Sequence, residues 1–327
     1  MDYFKFCKAS SLFKNIEVND FGEKFGENIV TIPDLDYLET SNAKYVIFGV
    51  PTVSHTKYSF SLKPIKFEAL LKDLLNTQNN QFNKAEDLII LGEINIRPID
   101  SEIDINKQIL ESSEREITEI YNKLENIIFE LTTAIFKSGK IPIMLGGNLR
   151  NSISMAKSLR SFLDKTINLF DFSPNSNFNL SKKHLTLSPT NYFDTDLFRK
   201  YFAFGLHKNY IPQKNLDQMS TSKQIDFNFY EDCLHLTTLD KCVKFKNSID
   251  FLNGSLGFRL DLKSIQGLSL SCESSSGFSE RDIRTFIKVI KKERVEFIHL
   301  CGFETCKKEN VGGILSYLIS DFMRHEE

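Results

Sequence analysis

Tryptophan is absent from the 327 residues, and no apolar stretch approaches the roughly 20 residues that a bilayer-crossing helix needs. A membrane role is therefore not expected. Neither sign of charge is in excess: 41 Lys and Arg stand against 43 Asp and Glu, a formal net charge of −2. That balance gives no general attraction to nucleic acid or to an anionic surface. Cysteine is sparse and unpatterned. Cys7, Cys233, Cys242, Cys272, Cys301 and Cys306 form no CxxC pair and no dense framework, which excludes a disulfide scaffold and suits reduced thiols. The opening stretch MDYFKFCKASSLFKN lacks a basic start followed by an apolar core, so no signal peptide is expected. These absences predict a soluble, cytoplasmic protein.

What is present is an ordinary globular composition, 41% hydrophobic and 26% charged, with 29 Phe to fill a core. Short apolar runs alternate with longer amphipathic segments. The runs Tyr45–Val50, Leu88–Leu91, Ile141–Leu145, Ile167–Phe170, Tyr201–Gly205, Leu256–Leu262 and Val295–Leu300 predict strands. Helical spacing predicts helices over Ile65–Asn76, about Lys107 to Lys137, Ser152–Phe162, Asn209–Met219, Thr237–Asn247, Ser279–Lys291 and Val311–Arg324. The polar stretch Asp171–Leu197 reads as a long irregular region. With no low-complexity linker and no repeat, one domain spanning 1–327 is expected. Strands separated by helices imply parallel pairing, hence an α/β, three-layer αβα domain with a mainly parallel sheet. In such sheets ligands sit beyond the carboxyl ends of the strands.

Three loops leave predicted strands at that edge. They are IPIMLGGNLRNS (Ile141–Ser152), TINLFDFSPNSNFN (Thr166–Asn179) and SLGFRLDLKSIQG (Ser255–Gly267). Their order and spacing resemble the arginase (ureohydrolase) superfamily, in particular its formimidoylglutamase branch. The resemblance covers about residues 43–323 and leaves 1–42 as an N-terminal extension. It also takes in FGLHKNYIPQKNLD (Phe204–Asp217) and the unit Glu273–Glu304.

In that superfamily the loops read GGDH, DAHxD and SxDxD and hold two manganese ions. Here the resemblance aligns Asn148 and Leu149 with the Asp-His pair of the first motif. Asp171, Ser173 and Asn175 take the ligand positions of the second, and Arg259 and Asp261 those of the third. Of six ligand positions, only Asp171 and Asp261 keep a carboxylate. Hard divalent cations need several oxygen or nitrogen ligands, and Leu149 offers none. No manganese or other cofactor is expected, and no catalytic residue is assigned. Without a metal pair the family's hydrolysis loses its activated water.

Alternation along Gly257–Leu262 puts Arg259 and Asp261 on one face. A permanent guanidinium there suits two carboxylates better than solvent does, so Arg259 is expected to pair with Asp171 and Asp261. Glu304 matches the family's acidic residue after the last strand; with Arg259 it is the candidate for holding a ligand, or else joins the salt-bridge cluster. His299 reads as a satisfied core residue, and His55 and His207 as loop or surface residues. Three functions compete. The first is a noncatalytic pseudoenzyme that scaffolds, regulates or binds an unknown protein partner. The second is a binding protein for an amidino, guanidino or glutamate-like small molecule. The third is a divergent metal-dependent hydrolase of linear amidines. Missing ligands speak against the third, and the family's self-association leaves a homo-oligomer open.

Overall fold

The computed structural model describes residues 3–17, 22–56, 59–63, 65–96, 114–164, 166–175, 197–269, 272–303 and 308–324. The longest apolar runs become the central strands. β2 (Tyr45–Val50), β6 (Ile141–Gly146), β7 (Ile167–Phe172) and β10 (Leu256–Asp261) are buried at every position except the half-buried Ile141. Strands covered on both faces must be. With β1 (Phe4–Phe6), β5 (Leu88–Ile94), β8 (Phe198–Leu206), β9 (Ile225–Phe229) and β11 (Val295–Cys301) they form one nine-stranded sheet. Its order is β1-β5-β2-β6-β11-β10-β7-β8-β9, and every pairing is parallel except β1 with β5. A hairpin of β3 (Thr52–Thr56) and β4 (Ser59–Lys63) follows the carboxyl end of β2.

Helices cover both faces. On one lie α3 (Glu114–Lys137) and α4 (Leu149–Leu163), whose buried Leu124, Ile128, Leu131, Ile135, Ile153 and Ala156 meet Val46, Met144 and Leu169 of the sheet. On the other lie α2 (Phe67–Leu75), α6 (Thr238–Leu252), α7 (Glu280–Ile290) and α8 (Lys308–Met323). Short helix α1 (Ala9–Phe13) packs beside α2, and α5 (Gln213–Thr221) puts its buried Met219 into the core on the α3–α4 face. Local sequence starts several of these. Thr237 and Ser279 cap α6 and α7, each in a reciprocal capping box with Asp240 and Asp282. The phenylalanine abundance is spent on the second face, where Phe245 and Phe286 stack at 4.6 Å among Phe170, Phe172, Phe204 and Phe278.

This is the three-layer αβα arrangement that the strand–helix alternation predicts. Four elements differ from expectation: α1, β1, β9 and the β3–β4 hairpin have no counterpart in the pattern. Residues 107–113 of the expected long helix and 176–196 of the expected irregular region lie outside the described residues. Asp171 and Phe172, expected in that region, instead complete β7.

One topological feature positions the site. The chain passes from β6 to β7 across two places in the sheet, which β10 and β11 fill later. Arg259 on β10 therefore sits in register with Asp171 on one side and His299 on the other. All three face the α3–α4 layer.

Candidate functional site

The first motif loop is a helix start built on close contacts. Gly146 has φ +89°, and a Cβ there would collide with the Val50 carbonyl at the end of β2, so glycine is required. Asn148 then caps α4. Its Oδ1 accepts from the Arg150 amide at 3.1 Å, its Nδ2 donates to the Val53 carbonyl at 3.2 Å, and its own amide donates to Asn151 Oδ1 at 2.7 Å. Leu149 is the first residue of α4 and supplies no ligand atom. Between α4 and α3, Arg150 pairs with Glu125 and lies 4.7 Å from the centre of the Tyr121 ring. Burial raises the Tyr121 pKa, against the opposing pulls of Arg150 and Asn148.

At the carboxyl ends of β7 and β10 the guanidinium of Arg259 joins two carboxylates. Nη1 donates to Asp171 Oδ1, and Nη2 lies 3.6 Å from Asp261 Oδ2. The other oxygen of Asp171 accepts from the Tyr201 hydroxyl at 2.7 Å. Asp171 is fully buried and Arg259 is 3% exposed. Burial alone would lower the pKa of Arg259. The charges of Asp171, then Cys301 and Asp261, outweigh it and hold the guanidinium well above its ordinary value. The side chain is a fixed cation at any accessible pH. Tyr201→Phe should cost about 1.5–3 kcal/mol in urea denaturation, the range for a hydrogen bond to a charged group, because it leaves Asp171 Oδ2 without its donor. A loss below about 0.5 kcal/mol would remove Tyr201 from the cluster.

His299 lies next to Arg259 and is fully buried. Its Nε2 is 2.6 Å from the Gly146 carbonyl, and its Nδ1 is 2.5 Å from Ser152 Oγ on α4. A carbonyl can only accept, so Nε2 carries the hydrogen and Nδ1 accepts from the Ser152 hydroxyl. Burial first, and the charge of Arg259 second, push the imidazole pKa down to about 3, against the pull of the Gly146 carbonyl. The ring is a neutral tie between β6, β11 and α4.

The remaining positions turn inward. Ser173 is buried and donates to the Asn175 carbonyl at 3.1 Å, while the Asn175 amide returns to Ser173 Oγ at 3.4 Å. Asp261 also caps the next turn, accepting from the Lys263 amide at 3.0 Å. His207, expected on a loop or at the surface, is instead buried between Tyr210 and Tyr230, with ring centres 5.9 and 5.1 Å away. Its apolar ring faces are covered by two tyrosines brought in by the β8 and β9 ends. His55 lies in β3 rather than in a loop. Glu304, His184 and His325 lie outside the described residues.

The structure thus brings Asp171, Arg259 and Asp261 together and adds Tyr201 and His299 beside them. This donor set does not fit a metal pair. Among the described residues no group of three or more His, Cys, Asp and Glu side chains could hold an ion. Both oxygens of Asp171 are engaged by neighbouring donors, and a guanidinium stands between the carboxylates that a cation would need.

Solved structures share this architecture. Formimidoylglutamase from Bacillus subtilis subsp. subtilis str. 168 superposes with a TM-score of 0.68 at 12% identity, covering 94% of this chain and 93% of that one. The chain has the ureohydrolase fold. Trypanosoma cruzi formiminoglutamase with Mn2+ gives 0.62 at 14% identity, over 89% of this chain and 97% of that one. Agmatine ureohydrolase of Thermoplasma volcanium gives 0.59 at 16% identity, over 88% and 90%. No protein-family model and no curated protein matches the sequence. The ureohydrolase fold is therefore carried by a sequence far removed from those enzymes.

Proposed function

We propose that this chain is a noncatalytic protein on the ureohydrolase fold, a pseudoenzyme whose role is to scaffold, to regulate or to bind a protein partner. One observation carries the reading. Arg259, permanently charged and buried, reaches both carboxylates that survive at the metal-ligand positions of the fold. A guanidinium held by two carboxylates neutralises the charge that would otherwise attract a divalent ion. With Leu149, Ser173, Asn175 and Arg259 at the other positions, nothing among them supplies the charge or the imidazoles that such an ion needs. Binding of a free amidino or glutamate-like molecule is the weaker reading, because the acidic groups that would take a cation already have one.

A cytoplasmic setting belongs to the same proposal. It is supported by Cys7, Cys233, Cys242 and Cys301, none of which forms a disulfide. Among the described residues no helix is long and apolar enough to cross a membrane.

The test is metal content and turnover together. Protein purified without chelators is expected to contain no stoichiometric manganese and to give no calorimetric signal on manganese titration. It should release no urea from arginine or agmatine and no formamide from formimidoylglutamate. Stoichiometric manganese together with turnover would reinstate the hydrolase reading.

A further inference from the structure

We propose that the outer face of α6 and α7 is a docking surface for an acidic amphipathic helix of a partner protein. The proposal rests on the partner-binding reading above and goes further, because it names the surface and the chemistry that fits it.

The two helices lie side by side and run the same way. At their starts Thr238 Oγ1 and Lys241 Nζ donate to Asp282, at 3.0 and 2.9 Å, and near their ends Lys246 Nζ reaches Glu293 at 2.7 Å. Between these ties Phe245 stacks on Phe286 beneath the contact. One step around α6 from Thr238 and Cys242, toward solvent, stand Leu239 and Val243, 73% and 54% exposed and paired at i, i+4. Leu234, just before the helix, is 60% exposed. Apolar side chains exposed singly are ordinary, but three within Leu234–Val243 mark a contact surface.

Across the furrow, α7 and the turn after it carry Arg281, Lys288 and Lys292, all exposed and on one face of the helix. None of the three has an ion-pair partner among the described residues. The carboxylates beside them are all engaged: Asp240 in the Thr237 capping box, Asp250 and Glu293 with Lys246, Glu280 with Arg284, and Asp282 with Lys241. The whole chain is slightly acidic, at −2, so this surplus of positive charge is local. Apolar side chains line one rim and unmatched cations the other. A helix laid between them, with an apolar row toward α6 and an acidic row toward α7, buries the first and neutralises the second. A second copy of this face would instead bring two sets of cations together. An anionic bilayer would meet the charge but presents the same surface to both rims, and so does not use their segregation.

The experiment places the photo-crosslinker p-benzoylphenylalanine at Val243 of the full chain in its native cells. Irradiation is expected to give an adduct to a different protein. Mass spectrometry should map it to a segment with apolar residues at helical spacing beside aspartates or glutamates. Reversing the α7 row with Lys288→Glu/Lys292→Glu should cut the adduct several-fold and leave the urea midpoint near wild type, since both side chains are exposed and unpaired. Lys288→Gln/Lys292→Gln, which removes the charge without reversing it, should give an intermediate loss. A synthetic peptide of the mapped segment should bind wild type about tenfold more tightly than the glutamate variant, and less tightly as salt rises. No adduct, an adduct to lipid or to a second copy of this chain, or an adduct that charge reversal leaves intact would overturn the proposal. A metal-free, inactive wild type that gives no such adduct keeps the noncatalytic reading and loses only this surface.

Discussion

Arg259→Ala is expected to lower the free energy of unfolding by about 3–5 kcal/mol, the range found when one partner of a buried ion pair is removed. The size follows from what is left behind. Asp171 is wholly buried and Asp261 is 8% exposed, and both face the space that the guanidinium vacates. Two carboxylates in a dry site without a cation repel each other, and one must take up a proton for the fold to persist. The carboxylate that takes up the proton then favours the fold as pH falls toward the carboxylate range, which opposes the acid loss carried by His299.

A double-mutant comparison separates this from simple loss of packing. Arg259→Met keeps most of the side-chain volume, and Asp171→Asn removes the charge it faces. The pair together should cost less than the sum of the two singles, since each repairs part of the other's defect. A surface arginine would lose less than about 1 kcal/mol in any of these variants. A loss that small on chemical denaturation of Arg259→Ala would refute the buried-cation account.

The parts of the fold that were legible in the sequence are those where a single physical demand dominates. A strand covered on both faces is mostly apolar, so β2 and β6 announce themselves, and β7 and β10 do so despite Asn168, Asp171, Arg259 and Asp261. Edge elements carry no such signal. β1 is three residues long, and β9, IDFNF, mixes exposed and buried positions as an outer strand can. Within the site, alternation places Arg259 beside Asp261 on one face, because both lie on one strand. Asp171 on β7 enters through the motif resemblance, but cross-strand contacts that no motif marks carry no signal. Tyr201 stands in register with Leu169, and its hydroxyl reaches Asp171 only on the diagonal between β7 and β8. Ser152 and His299 meet across 147 residues of chain. Asn148 shows the opposite limit: aligned by the resemblance with the first motif, it caps α4 through its Oδ1 and ties the helix start to β3 through its Nδ2. Asparagine suits that position whether or not a metal is near.

Acid should destabilise this protein through His299 well before most carboxylates titrate. In the fold the imidazole is held neutral, with a pKa of about 3, by burial first and by the neighbouring charge of Arg259 second. In the unfolded chain it returns to roughly 6.5. Between those values the unfolded state binds one more proton than the folded state, so stability falls as pH falls. The contribution is fully present above about pH 7 and amounts to a loss of about 2 kcal/mol by pH 5. His299→Gln keeps a donor and an acceptor near Gly146 and Ser152 but cannot titrate. Urea denaturation of both proteins at pH 5, 6, 7 and 8 should show wild type losing stability on the acid side and the variant losing about 2 kcal/mol less over the same range. The variant will be weaker at pH 8, where the neutral histidine packs best, so the slope and not the absolute value is decisive. Arg259→Gln should also flatten the slope, because removing the second cause lets the imidazole pKa rise toward its unfolded value. Parallel slopes in wild type and His299→Gln would mean that His299 does not carry the acid response.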